Sequence, residues 1–397
     1  MDFRVTMLLQ ALNQIKEPKV ELSHEQWNQC LQFAAEHGLE CVFFDYYQLF
    51  FPDDFKQSDI YQKWQGKIIH RLFWTKQSER KAREVLAQLE KQGVFAIVLK
   101  GIDCASYYIK PENRTMSDMD IFLHWDDLEQ ADKVFQLLDY IHVQDQDTDK
   151  EYIYYPKEEG YFFEVHFALF KKELSDYTQA FGYNALQTAV RSKDGEFNVL
   201  EPTLATAYML VHMVKHLYGT GIGLKGLYDL ALYVRAQKEH IDEQKLNLYL
   251  TKFHMLKTGA YILACANRFL ASGFVLDYEI QDAFCNNLFG IIARSGDTGM
   301  REEYVIEQRY EVLAQGPYKG NKDKMHLLTF VFLPLDQMKK RYSSLNKHSW
   351  LLPVFWGVRI VRVVFKSRQN LKKWIRRDIN HRNIMTHQET ITFLKEE

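Results

Sequence analysis

The chain of 397 residues is 47% hydrophobic and 26% charged, an ordinary globular composition that excludes a disordered, fibrous or collagen-like protein. Its length allows two or three domains and a sizeable core. A formal net charge of -2 gives no global field for nucleic acid or an acidic membrane, so any such attraction has to come from local asymmetry.

In chain order, residues 1–92 read as helical. The opening MDFRVTMLLQALNQIKEP is a short amphipathic pattern with neither a long apolar stretch nor a small-residue cleavage site, so no export signal is expected. Ser23 with Gln26 makes a capping box ahead of EQWNQCLQFAAEH, and Gly38 is placed to end that helix. TKQSERKAREVLAQLEKQ predicts a long helix closed by Gly93. Then the pattern changes. Val94 to Leu99 is wholly apolar and rich in β-formers, the mark of a buried strand, and it ends at Lys100-Gly101. A brief helix IDCASYYI, a loop ENRTM and a strand SDMDIFLHW follow, and Asp126 with Glu129 predicts a cap for the helix DDLEQADKVFQLLD. EYIYYP and YFFEVHFALF read as strands joined by a hairpin loop at Lys157-Glu158-Glu159-Gly160. From Leu200 to Pro334 the period is helical again, starting at Glu201-Pro202-Thr203.

These boundaries divide the chain into an N-terminal helical region (1–92), a β-rich core (93–175), a helical domain (176–338) and a basic, aromatic segment (339–397). The expected class is α+β, a small mixed β-sheet core flanked by N-terminal and C-terminal helical segments. Cys30, Cys41, Cys104, Cys265 and Cys285 form no CxxC pair and sit among apolar neighbours, as expected of reduced, buried thiols in a cytoplasmic protein. The apolar stretch from Trp350 contains Pro353 and stops at Arg359, too short to cross a bilayer.

Chemistry concentrates on two strands. In an extended chain alternate side chains share a face, so Asp118, Asp120, Phe122 and His124 lie together, opposite Met119, Ile121 and Leu123. Two like charges that close repel, which calls either for solvent at a loop end or for a cation between them. On FFEVHF, Glu164 and His166 share a face with Phe162. A carboxylate in so aromatic a strand needs a partner, either a metal ion held with the Asp pair or Arg114 or Lys100, unless it is exposed at a sheet edge.

The order of Leu99-Lys100-Gly101, Arg114, Ser117-Asp118-Met119-Asp120-Ile121 and Glu164-Val165-His166 resembles the DNA polymerase β type nucleotidyltransferase superfamily. More narrowly it is similar to that superfamily's bacterial branch of uncharacterised nucleotidyltransferases. Ala34-Ala35-Glu36-His37-Gly38, His212, His216, Asp229, Leu333-Pro334 and the Arg341-Tyr342 region carry the likeness along most of the chain. The resemblance implies a magnesium-dependent transfer of a nucleoside monophosphate from a nucleoside triphosphate to an acceptor hydroxyl, with release of pyrophosphate. It implies that Asp118 and Asp120 bind two Mg2+ ions, that Glu164 completes the site nearest the acceptor, and that Lys100, Gly101 and Arg114 meet the triphosphate. His166 would take the hydroxyl proton or orient Glu164. The superfamily has Gly-Ser or Gly-Gly at the first turn, whereas Gly101 precedes Ile102 here, a departure the branch shares. That missing hydroxyl supports the alternative, a non-catalytic nucleotide-binding or partner-binding module.

Gly221-Ile222-Gly223-Leu224-Lys225-Gly226 fits GxGxxG but follows a helix, so a helix junction beside the cleft is expected, with Lys225 open to a phosphate. HMVKH places His212 and His216 four apart without the Glu of a zinc motif, which favours a supporting or packing role. Asp229 is a partner for one of these histidines or for Lys225. No Asp or Glu occurs from Gln337 to Arg377, and RIVRVVFKSRQNLKKWIRR gathers cations on one helical face. That segment suits an anionic membrane surface, a nucleic acid or simple solvation.

Overall fold

The computed structural model describes residues 2–18, 21–158, 160–219, 221–296, 348–357 and 381–396, with Leu335 and Met338. The basic stretch from Arg359 to Arg377, Leu333-Pro334 and Arg341-Tyr342 lie outside the described residues. The chain forms two compact units, one of Met1–Tyr304 with Thr390–Glu397 and one of Val305–Glu389. In the second, a 3-10 turn spans Ser349–Leu351.

The first unit begins with α1 (Phe3–Leu12), α2 (His24–Glu36) and α3 (Glu40–Tyr47). Both halves of the Ser23–Gln26 capping box are made, and Gly38 takes the left-handed φ of 66° that stops α2. These helices pack around Trp27, whose ring meets Tyr47 at 5.1 Å and Phe51 at 4.8 Å edge-on. After α4 (Asp53–Lys56), α5 runs from Asp59 to Lys91. It starts well before the expected Thr75 because Ser58 Oγ caps the Tyr61 N–H and no proline interrupts the turns between. Gly93, at φ 79°, ends it as expected.

One sheet of seven strands follows, in the order β3-β4-β5-β2-β1-β7-β6. Its members are β1 (Ile97–Val98), β2 (Asp118–Phe122), β3 (Tyr140–His142), β4 (Glu151–Pro156), β5 (Phe162–His166), β6 (Val190–Arg191) and β7 (Asn198–Val199). Pairs β2–β5 and β1–β7 are parallel and the others antiparallel, so the sheet is mixed and the fold α+β, with helices before and after it. Three strands, β3, β6 and β7, are additions to the expected four. At two or three residues each they are too short to show a period of two.

Two local expectations change. The helix that follows Lys100, α6 (Gly101–Ala105), is shorter than the expected IDCASYYI. Asp126 does not cap α7 (Leu128–Leu137); a 3-10 turn at Trp125–Asp127 intervenes, and His124 Nδ1 accepts from the Asp126 N–H instead.

The back of the sheet is dry. Met119, Ile121, Phe163 and Val165 are fully buried against Val85 and Leu89 of α5 and Phe135 of α7. Phe135 stacks on Tyr154 at 4.2 Å. Each such side chain contributes about 1.5–3 kcal/mol, and together they fix which face of β2 and β5 is left for the polar residues.

The described helices after β5 include α8 (Thr178–Thr188), α9 (Pro202–Leu217), α10 (Leu224–Gln237), α11 (Glu243–Lys252), α12 (Leu256–Leu270) and α13 (Asp282–Ser295). As expected, α9 starts at Pro202, where the Glu201 carboxylate accepts from the Thr203 and Leu204 N–H groups. They share a second, larger core with α1–α3. Near the chain's end Phe393 stacks on Phe284 at 3.8 Å, and Leu394 O accepts from Thr258 Oγ1 at 3.0 Å. The five cysteines are buried free thiols. Among the described residues no helix is long and apolar enough to cross a membrane.

Candidate active site

The register of β2 on β5 builds the acidic centre. Asp120 lies beside Glu164 and Phe122 beside His166, and since the odd-numbered β2 residues are committed to the core, all four project from the front face. Asp118 is on the same face two residues earlier, beside Phe162. His166 is 4% exposed. Its Nε2 bonds Asp120 Oδ1 at 3.0 Å and lies 3.7 Å from Glu164 Oε2. Donor atoms of Asp120, Glu164 and His166 all fall within 4.8 Å of one another. The compact donor set therefore contains His166, while Asp118 lines the same cavity outside it.

Neighbouring strand β4 supplies a residue the sequence reading passed over. Glu151 pairs with His166 across the antiparallel ladder, and its Oε2 lies 3.1 Å from His166 Nδ1. The alternation of EYIYYP put Glu151 on one face with Ile153 and Tyr155. What it faced became apparent only from the pairing.

Crowding sets the charge states. Burial, then the charges of Asp120 and Asp118, push the Glu164 carboxyl up to about 7 against the pull of Lys150. Burial also acts to raise Asp120, but the His166 hydrogen bond and the nearby Lys100 outweigh it and hold that carboxyl well below the carboxylate range. Desolvation lowers His166 more than Asp120 raises it. An ion among these acids would relieve the repulsion that raises Glu164, and the oxygen and imidazole donors suit a divalent cation.

Opposite the acids stands a cationic wall. Lys100, at the end of β1, bonds His212 Nδ1 at 2.5 Å and lies over the Tyr208 ring. His212 and His216 meet through their Nε2 atoms at 2.8 Å. An ammonium only donates, so His212 accepts at Nδ1, carries its proton on Nε2 and donates to His216. Burial, then Lys100, keeps His212 well below the usual histidine range, and burial, then Lys215, takes His216 to about 4. The HMVKH spacing thus yields a chain of neutral rings that steadies Lys100. Lys150 is lowered to about 8 by burial and Lys215, and Lys215 is itself lowered by burial and Lys100.

Acids and cations line one cavity of about 710 Å³, which also includes Gly101, Arg114, Lys225 and the Gly221–Gly226 turn. Gly101 has φ 52°, and a Cβ there would come within 2.8 Å of Met119 Sδ. Both facts require glycine. Arg114 is on the wall but engaged. Its Nε and Nη2 donate to Asp229 at 3.0 and 2.8 Å, and Tyr108 OH donates to the same carboxylate at 2.7 Å. Asp229 thus grips Arg114 rather than an α9 histidine. The glycine-rich turn joins α9 to α10 beside the cleft, as expected, and is tied back by His37, whose Nδ1 accepts from the Leu224 N–H at 3.1 Å.

A mixed sheet carrying paired acids in a lysine-walled cavity defines an α+β protein whose cleft sets carboxylates opposite ammonium groups. The family model described as uncharacterised nucleotidyltransferase matches residues 23–271, more than half of the chain and all of the sheet. The chain belongs to that family. No curated protein and no solved structure matches it.

Proposed function

We propose that the protein is a metal-dependent nucleotidyltransferase of the DNA polymerase β type, which moves a nucleoside monophosphate from a triphosphate to an acceptor hydroxyl and releases pyrophosphate. The observation that carries this reading is the Asp120–Glu164 pairing, with Asp118 one step along the same face, inside a cavity walled by lysines. When bound, divalent ions such as Mg2+ would offset the charge that builds on the attacking and leaving oxygens. Asp118, Asp120 and Glu164 are the residues to hold them.

Lys100, steadied by His212, and Lys215 face the acids and would receive the phosphates. Lys225 is a further contact from the α10 side. Arg114 and Asp229 together bring no net charge, so Arg114 serves by holding the approach to β2 and adds little to phosphate affinity. Buried Ile102 offers a phosphate oxygen no hydroxyl, and Lys100 supplies a charged donor in that neighbourhood instead.

The test is direct. Asp118→Asn with Asp120→Asn should weaken magnesium-dependent binding of nucleoside triphosphates at least tenfold, measured by calorimetry, with the fold intact by circular dichroism. Unchanged binding sinks the reading. Pyrophosphate release from labelled triphosphates, across sugar phosphates, aminoglycosides, peptides and RNA ends, separates a transferase from a binding module, which would release none.

A further inference from the structure

Within that proposed metal site, on which this inference rests, we infer that the ion is bound through a nitrogen: His166 Nε2 is an inner ligand, Glu151 is the positioning residue behind it, and the site therefore prefers a first-row transition dication to Mg2+. His166 is nine-tenths buried and is held between strands rather than on a loop, so its ring has little freedom to turn away. Its two nitrogens face different groups. Nδ1 looks back at Glu151 Oε2, 3.1 Å away, and Nε2 looks forward into the space shared with Asp120 Oδ1 and Glu164 Oε2.

Without an ion, Nε2 donates to the Asp120 carboxylate, which only accepts. Glu151 offers Nδ1 a second acceptor 3.1 Å away, so once an ion takes the Asp120 oxygen the ring proton can sit on Nδ1 and leave the Nε2 lone pair toward the acids. That is the arrangement of a carboxylate behind a metal-bound imidazole, where the rear carboxylate fixes both tautomer and ring plane. A second observation points the same way. Although it lies at contact distance from Glu151 Oε2, buried Nδ1 has no aligned hydrogen bond, a debt that native interiors rarely leave unsettled. A small rotation of the ring toward an ion at the Asp120–Glu164 pair is a natural way to bring the two into line. Lys150 Nζ pairs with the same Glu151 oxygen, Oε2.

The ligand set has a chemical consequence. Mg2+ takes oxygen donors and gives up its waters reluctantly, whereas imidazole suits the transition series. Two carboxylates and one imidazole on adjacent strands are therefore a set for Mn2+ and its heavier neighbours.

Mn2+ is the probe, because its electron spin reports ligated nitrogen. The full-length protein loaded with Mn2+ should show 14N modulation in the electron spin echo. His166→Gln should abolish that modulation and weaken Mn2+ about 10–100-fold. Glu151→Gln should retain the nitrogen signal while costing Mn2+ roughly tenfold and Mg2+, measured by competition, less. If wild type binds Mn2+ and loses it on Asp120→Asn but shows no nitrogen coupling, His166 is not a ligand and the inference falls while the metal site stands. If Asp120→Asn leaves Mn2+ affinity unchanged, or no Mn2+ binds at all, both fall. The wild-type spectrum decides the matter even if a variant does not fold.

Discussion

Glu164 sits in an environment at odds with its charge. Its carboxyl moves from an ordinary value of 4.5 up to about 7 through burial and the neighbouring acids. A raised acid binds its proton more tightly in the folded chain than in the unfolded one, so it opposes folding as pH rises through that interval and adds no further change above it. In metal-free protein the urea midpoint of wild type relative to Glu164→Gln should therefore fall between pH 4.5 and 7 and then level off. Saturating divalent ion should remove much of the difference. A wild-type and variant pair that keep a constant separation across this window would show that the acids do not crowd Glu164. At this scale the sequence was informative about direction and silent about partners. Alternation alone put Asp118 with Asp120 and Glu164 with His166. That Asp120 is the acid beside Glu164 depends on a parallel register between β2 and β5, and no local pattern encodes it.

Elements are held in that register by contacts between segments far apart in the chain. Arg114 and Asp229, separated by 115 positions, tie the loop before β2 to α10, and each is 6% exposed or less. Deep pairs of this kind add modest net stability when whole but cost heavily when halved, since the survivor is a buried unpaired charge. Asp229→Ala should lower unfolding free energy by about 3–5 kcal/mol, and Arg114→Met with Asp229→Leu should recover most of that. Urea titrations of the single and double variants make the comparison, and a double variant as weak as the single would mean that the loop depends on something other than charge pairing. The composition of GIGLKG and the Asp229 carboxylate was visible in the sequence. The partner was not, because side-chain pairing at this separation leaves no periodic trace. The caps show the opposite case. Ser23–Gln26 and Glu201–Pro202 act within a few residues and fell where expected, while Asp126 lost its role to a turn created by its neighbours.

At the scale of the whole first unit, two cores meet at the cavity, and each supplies half of its chemistry. The smaller lies behind the sheet and includes Ile121 and Val165, directly under the acids. The larger contains α9, with Leu210 and Val214 beneath the lysine and histidine wall. The helix–strand–helix order made the α+β class legible, because both periods are strong in long segments. How the helices close over the front of the sheet was not, because α9 is apolar nearly all round and so declares no face. This division of labour predicts separable defects. Ile121 and Leu210 are both fully buried, and truncating either to Ala should cost about 2–5 kcal/mol through lost burial and the cavity left behind. Equal losses of stability should not mean equal losses of function. Ile121→Ala loosens the strand that carries Asp120, so divalent-ion affinity should drop several-fold, and nucleotide affinity with it. Leu210→Ala loosens the wall that carries His212 and Lys215, so ion affinity should hold while affinity for a triphosphate at saturating ion falls. Calorimetric titration of each variant with Mn2+ alone, then with triphosphate, reads both quantities. If the two variants lose both affinities in the same proportion, the cavity behaves as one cooperative body, and the assignment of metal to the sheet and phosphate to α9 is wrong.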